Sequence, residues 1–191
     1  MFKYFLVSSQ VHQEKNAMSE AAWILSTYVE VETFKVKLLP VGGLGLLVLE
    51  NGIDLPESIN DTIDELLQKE KLYYCFKVIP LEYFEVFTDD LLHSWIENNK
   101  QRISENESWK VNLNKRHTSL KSRELVNTIA KLINNPVELK NPDLLLQVEI
   151  IGKYIGLGLL KPYQFLQLSQ KISHLPNEEQ EEDETTEIGG Y

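Results

Sequence analysis

The chain has one cysteine and four histidines in 191 residues, and these scarcities close several routes to function. Cys75 alone forms no internal disulfide and no multi-cysteine metal site, which fits a reducing compartment. His12, His93, His117 and His174 lie in separate segments with no i, i+3 or i+4 pairing, and no His-Glu-x-x-His or Cys-x-x-Cys motif occurs. Metal ligation and nucleophile–base chemistry therefore have no support. No apolar run approaches the ~18 residues of a membrane span, and the opening Met1–Val7 is too short and interrupted for a signal peptide. A cytoplasmic protein is expected, with no membrane, metal or cofactor in its chemistry.

What is present is an ordinary globular composition, 42% hydrophobic and 25% charged, long enough for one domain or two small ones. The net charge of −10 misleads unless it is partitioned. Residues 1–107 carry nine basic and eighteen acidic groups, and the segment from Pro176 adds seven acids and no base. From Ser108 to His174 there are ten Lys and Arg against four acids, a local balance of +6. Exposed charges are screened beyond about 8–10 Å, so a phosphate responds to this local potential and not to the total.

Apolar periodicity orders the first part of the chain. Phe2–Ser9 reads as a strand apolar on both faces, Asn16–Tyr28 as an amphipathic helix, and Val31–Leu39 and Leu46–Leu49 as strands broken at Pro40–Gly45. Leu55–Glu70 has helical spacing and Leu72–Ile79 reads as a strand. The order β-α-β-β-α-β is that of a ferredoxin-like unit. After a boundary near Pro80–Thr88, Thr88 is placed to cap a helix carrying Leu91, Leu92, Trp95 and Ile96. Trp109–Arg116 alternates, with Trp109, Val111 and Leu113 opposite Lys110, Asn112, Asn114 and Arg116; a half-buried strand with a solvated polar face is expected. A helix capped by Thr118 or Ser119 follows, then an Asn141-Pro142-Asp143 turn. Leu145–Ile151 and Tyr154–Leu160 form a hairpin across Gly152-Lys153. Tyr163–Leu175 is read as a last helix, and the acid-rich Asn177–Tyr191 as too poor in apolar residues to fold.

Lys115-Arg116-His117 leads into a helix start, where free N–H groups and the dipole favour an anion; Lys121 and Arg123 near the first turn complete a possible phosphate cradle. The alternative is a solvated basic edge with no ligand. Lys153 at the hairpin tip and Lys161 past the last strand are exposed by construction. Asn112, Asn114 and the Asn141–Asp143 turn are better read as structural, and Trp109 and Tyr154 as core instead of base-stacking platforms. Gly42-Gly43-Leu44-Gly45 lacks a following Lys-Ser/Thr and precedes a strand, so it marks a bend and not a phosphate loop. The pairs Asp89-Asp90 and Glu178-Glu179 suit a helix start and a solvated tail, not general acid–base work. The acidic tail has three readings: a solubilising segment, a contact to a basic partner, or a competitor for the basic residues.

The pattern Trp109-Lys110-Val111, Lys115-Arg116-His117, Arg123-Glu124-Leu125, Ile129-Ala130, Val137-Glu138-Leu139, Asn141-Pro142-Asp143, Val148-Glu149-Ile150-Ile151 and Gly156 resembles the THUMP domain of tRNA-modifying enzymes. More narrowly it is similar to stand-alone THUMP proteins that serve as tRNA-binding adaptors of the tRNA cytidine acetyltransferase. The resemblance implies an α/β (α+β) chain with a ferredoxin-like domain at 1–87, a THUMP domain at 88–175 and an acidic tail at 176–191. It implies a non-catalytic partner that grips the acceptor stem and 3′ end of tRNA while a separate enzyme makes N4-acetylcytidine. RNA contacts are expected from Lys110, Lys115, Arg116, His117, Lys121, Arg123, Lys153 and Lys161. The rival expectations are an accessory subunit of another tRNA-modifying enzyme and a protein-interaction scaffold that does not touch RNA.

Overall fold

In the computed structural model, residues 1–28 and 33–168 are described. β1 (Phe2–Ser8), α1 (Glu14–Tyr28), β2 (Lys35–Leu38), β3 (Leu44–Ile53), α2 (Ile59–Leu67) and β4 (Lys77–Leu81) follow the expected β-α-β-β-α-β order. Their sheet runs β2-β3-β1-β4 and is antiparallel throughout. β1 is apolar on both faces because both are covered. Phe5 and Val7 pack with Ala17, Ala21, Ile24 and Ile63 of the helices, while Leu6 packs with Leu44, Leu46 and Ile79 toward a second sheet.

That second sheet is built from β5 (Tyr83–Val86), β6 (Trp109–Arg116), β7 (Leu144–Ile151) and β8 (Tyr154–Leu160), in the order β5-β8-β7-β6. Only β6 and β7 are parallel. On one face lie α3 (Asp89–Asn99) and α4 (Ser122–Ala130), whose Leu92, Ile96, Leu125 and Ile129 close a core around Trp109, Leu146, Val148 and Ile155. Thr88 caps α3 as expected, its hydroxyl accepting from Leu91 N–H at 3.1 Å. The fold is α+β, and the chain crosses between the sheets twice. β4 passes through Glu82 into β5. Leu166–Gln167 returns as β9 and pairs with Lys77 and Val78 of β4.

Four expectations are corrected. The strand placed at Leu72–Ile79 starts only at Lys77, because the Glu20 carboxylate accepts the N–H groups of Tyr73, Tyr74 and Cys75 at 2.8–2.9 Å and takes those donors from the sheet. Tyr83–Val86, read as part of a boundary, is a strand. The last helix does not begin at Tyr163: Pro162–Gln164 is one 3-10 turn, held by Lys161 N–H donating to Gln164 Oε1 at 2.9 Å, and β9 follows it. The rest of that predicted helix and the acidic tail lie outside the described residues, as do Val31 and Glu32 of the predicted second strand. Finally, α4 starts at Ser122, with Lys121 at the N-cap position and no side-chain cap from Thr118 or Ser119.

Trp109 joins β6 to the helical layer; it is 1% exposed and its indole N–H donates to the Asn135 carbonyl at 3.1 Å. Trp109→Ala is expected to lose about 3–5 kcal/mol in urea unfolding; a loss below ~1 kcal/mol would mean that the core closes over the gap.

Candidate nucleic-acid interface

Register decides which basic residues meet. Arg116 lies opposite Ile151, and Ile151 opposite Tyr154. The turn between β7 and β8 is tied to the end of β6 by Gly152 N–H donating to the Arg116 carbonyl at 2.8 Å. Gly152 has φ +58, a value that glycine accepts without cost. On the other side, Phe87 N–H donates to the Lys153 carbonyl at 2.8 Å. One edge of the sheet thus carries Lys115, Arg116, His117 and Lys153 together.

The side chains there are not equivalent. Arg116, His117 and Lys153 are exposed, and His117 turns the chain with φ 54. The Lys115 amine donates to the Leu120 carbonyl and so holds the loop before α4. Beyond that loop Arg123 is exposed, and Lys121 forms an exposed ion pair with Glu124 at 2.9 Å; pairs of this kind contribute little. A cavity of about 450 Å³ opens beside these first turns, lined by Asp89, Asp90 and Glu124 along with Lys121 and His93. Its acidic lining opposes a phosphate at the start of α4.

Lys110 and Lys161 sit at the far end of the sheet. Lys110 and Arg116 are six positions apart along the strand, roughly 20 Å. The Lys110 amine donates to the Leu139 carbonyl at 3.1 Å, and Lys161 pairs with Glu107 at 2.7 Å, holding that carboxyl below its usual range. Nearby, Asp143 is also held low by hydrogen bonds from the Ser108 hydroxyl and N–H, at 2.7 and 2.8 Å, so the Asn141–Asp143 turn is a structural clasp.

Two contributors from the first sheet were not anticipated. Lys37 of β2 lies 5.2 Å from the centroid of the Tyr154 ring, and Lys153 lies 5.5 Å from the same ring. Tyr154 stacks on Phe84 at 5.6 Å. Lys77 of β4 faces the same inter-sheet cleft as Arg116. A charge count along the chain cannot find Lys37 or Lys77, because both stand in its acidic half.

The strand face expected to be solvated is also different. Asn112 and Asn114 point at the first sheet, and their amides donate to Gln147 Oε1 and Glu149 Oε1, both at 2.7 Å. Gln147 Nε2 donates to the same Glu149 oxygen at 2.5 Å. Gln147 is fully buried and Glu149 is 3% exposed. Burial raises the Glu149 pKa, against the pull of Asn114, Gln147, Arg116 and Lys77. No cluster of metal-binding side chains occurs among the described residues, and no helix among them is long and apolar enough to cross a membrane.

A THUMP domain is present: the model of that family matches residues 89–160. No curated protein matches the chain in sequence. Among solved structures, TrmN from Thermus thermophilus is similar with a TM-score of 0.52 at 13% identity, over 84% of this chain and 47% of that one. PH1313 from Pyrococcus horikoshii Ot3 gives 0.51 at 15% identity, over 83% and 55%. A 4-thiouridine synthetase, solved as an RNA complex with bound ATP, gives 0.52 at 13% identity, over 84% and 41%. At these identities the likeness is one of fold, and the chain spans about half the length of these structures or less.

The buried carboxylate gives a signed prediction. Because the folded-state pKa of Glu149 is raised, its contribution to stability is full below the ordinary value of 4.5 and is lost as pH rises through the folded value. Glu149→Gln keeps an acceptor for Asn114 and should raise Tm at pH 7, a gain that fades below about pH 4.5. An equal change in Tm at both pH values would contradict the assignment.

Proposed function

We propose that this chain is a non-catalytic, cytoplasmic RNA-binding adaptor that holds tRNA by its acceptor stem and 3′ end and presents it to a separate tRNA cytidine acetyltransferase. The observation that carries the binding half is the cationic edge formed by Arg116 and Lys153, with His117 beside them, which lies inside the segment matching the THUMP domain and is extended by Lys37. The acetylation half rests on the sequence resemblance to stand-alone THUMP adaptors.

The mechanism is positional. Guanidinium and ammonium groups on one sheet edge neutralise backbone phosphates and release their counterions, which supplies affinity without sequence reading. Selectivity comes from RNA shape and from an unpaired end whose bases are open to contact. Lys115 acts indirectly in this reading, fixing the loop that carries His117 through Leu120. A second reading, service to another tRNA-modifying enzyme, is favoured by the likeness to the synthetase solved with RNA.

Arg116→Ala combined with Lys153→Ala should weaken tRNA binding about tenfold or more at moderate salt and shallow the log–log salt dependence by about 0.7–0.9 for each phosphate contact removed. Lys110→Ala with Lys161→Ala should cost less, since both amines already have partners. Wild-type affinity in the first double variant would overturn the site, and no tRNA shift by the wild-type chain would favour a protein scaffold. Nucleoside mass spectrometry of tRNA from a deletion strain should show loss of N4-acetylcytidine; loss of a different nucleoside would transfer the adaptor to another enzyme.

A further inference from the structure

Exposed aromatic rings are gathered in one place. Trp23, Tyr73 and Tyr74 are 41%, 69% and 37% exposed, and no other described Phe, Tyr or Trp side chain is exposed. A single exposed ring is ordinary, whereas a cluster marks a contact surface. Glu20 builds this one: its carboxylate accepts the N–H groups of Tyr73, Tyr74 and Cys75 at 2.8–2.9 Å, with the Cys75 side chain buried behind them. Trp23 stands one turn further along α1, about 5–6 Å from Glu20 between Cβ atoms. The two tyrosine rings are 6.2 Å apart and inclined at 54°, so neither covers the other. Rings on a backbone held at three successive amides lose little freedom when something packs on them.

The surrounding charge and the path of the chain select the occupant. Residues 69–77 hold Lys69, Lys71 and Lys77 against the single acid Glu70, so three of the nine basic residues in 1–107 fall within nine positions, around both tyrosines. Lys77 joins the cluster to the cationic edge. It is three residues from Tyr74, at most about 11 Å of chain, and it lines the cleft that also contains Arg116. Cys75 belongs to the core under the helices while Lys77 faces that cleft, so the chain rounds the end of the first sheet between them. We infer that Trp23, Tyr73 and Tyr74 form a stacking platform for unpaired bases of an RNA whose phosphates lie on Lys77 and Arg116. Every base has a π-face, so the platform adds affinity for single-stranded RNA without selecting a base. The inference rests on the RNA-binding reading and extends it to a surface of the first domain, outside the segment that matches the THUMP domain.

The test uses the full chain and an unstructured RNA oligonucleotide of about ten nucleotides. Stacking on Trp23 should quench tryptophan fluorescence saturably, and Trp23→Phe should abolish the quench while keeping most of the affinity. Tyr73→Ala combined with Tyr74→Ala should weaken binding at least about fivefold. The salt dependence should not change, because no phosphate contact is removed. Tyr73→Phe with Tyr74→Phe should restore the affinity. Wild-type affinity in the double alanine variant, a quench that persists in Trp23→Phe, or a loss that phenylalanine does not restore would each overturn the platform. Unchanged RNA affinity with loss of binding to a purified acetyltransferase would overturn it too, and would give the surface to a protein partner. The tRNA gel shift reports separately. A quench by the oligonucleotide without tRNA binding keeps the platform and removes the adaptor reading; tRNA binding that the tyrosine variant leaves intact does the reverse.

Discussion

The double crossing of the chain between its two sheets is the constraint on which the other features depend. β4 runs through Glu82 into β5, and Glu82 N–H already donates to the Leu157 carbonyl of the second sheet at 2.9 Å. After β8, the turn at Pro162–Gln164 brings Leu166 back to Val78. The sheets are thereby clamped face to face, and their contact is close: a Cβ at Gly156 would lie 2.6 Å from Leu81 Cδ1. Apolar residues from both sides, among them Leu6, Leu81, Phe84 and Ile151, fill most of this layer.

The same clamp accounts for the polar stripe. Parallel pairing sets Asn112 beside Gln147 and Asn114 beside Glu149, so both amides of β6 find a polar side chain on β7. Buried in isolation, these groups would each cost free energy; linked in one row they satisfy one another. At the end of this row the sheet edges converge, and Lys37 and Lys77 arrive from the acidic half beside Arg116 and Lys153. The positive edge is a product of tertiary structure, drawn from both charge blocks of the chain.

Much of this was legible in the residues. Alternation and helical spacing predicted the β-α-β-β-α-β order, Thr88 its cap and Gly152 its hairpin, because each depends on neighbours in sequence. The THUMP resemblance was readable from Trp109 to Gly156. What escaped was set by contacts between distant residues. Glu20 decides where β4 starts from 53 positions away. Alternation along Trp109–Arg116 separates two faces but does not say that the first sheet covers the polar one. The helix start expected near Ser119 moved to Ser122 because Lys115 and His117 shape a loop first. The eight basic residues divide for the same reason: Lys110 and Lys161 are near Arg116 in charge count and far from it along the strand.

The central claim is that RNA lies on the edge formed by Arg116, His117, Lys153 and Lys37. Photo-crosslinking of bound tRNA followed by peptide mapping tests it most directly. Crosslinks should concentrate in residues 114–119 and 152–154, with a second group at 35–38 from the first sheet. Crosslinks confined to the first turns of α3 and α4, or to the Lys110 and Lys161 end, would contradict it.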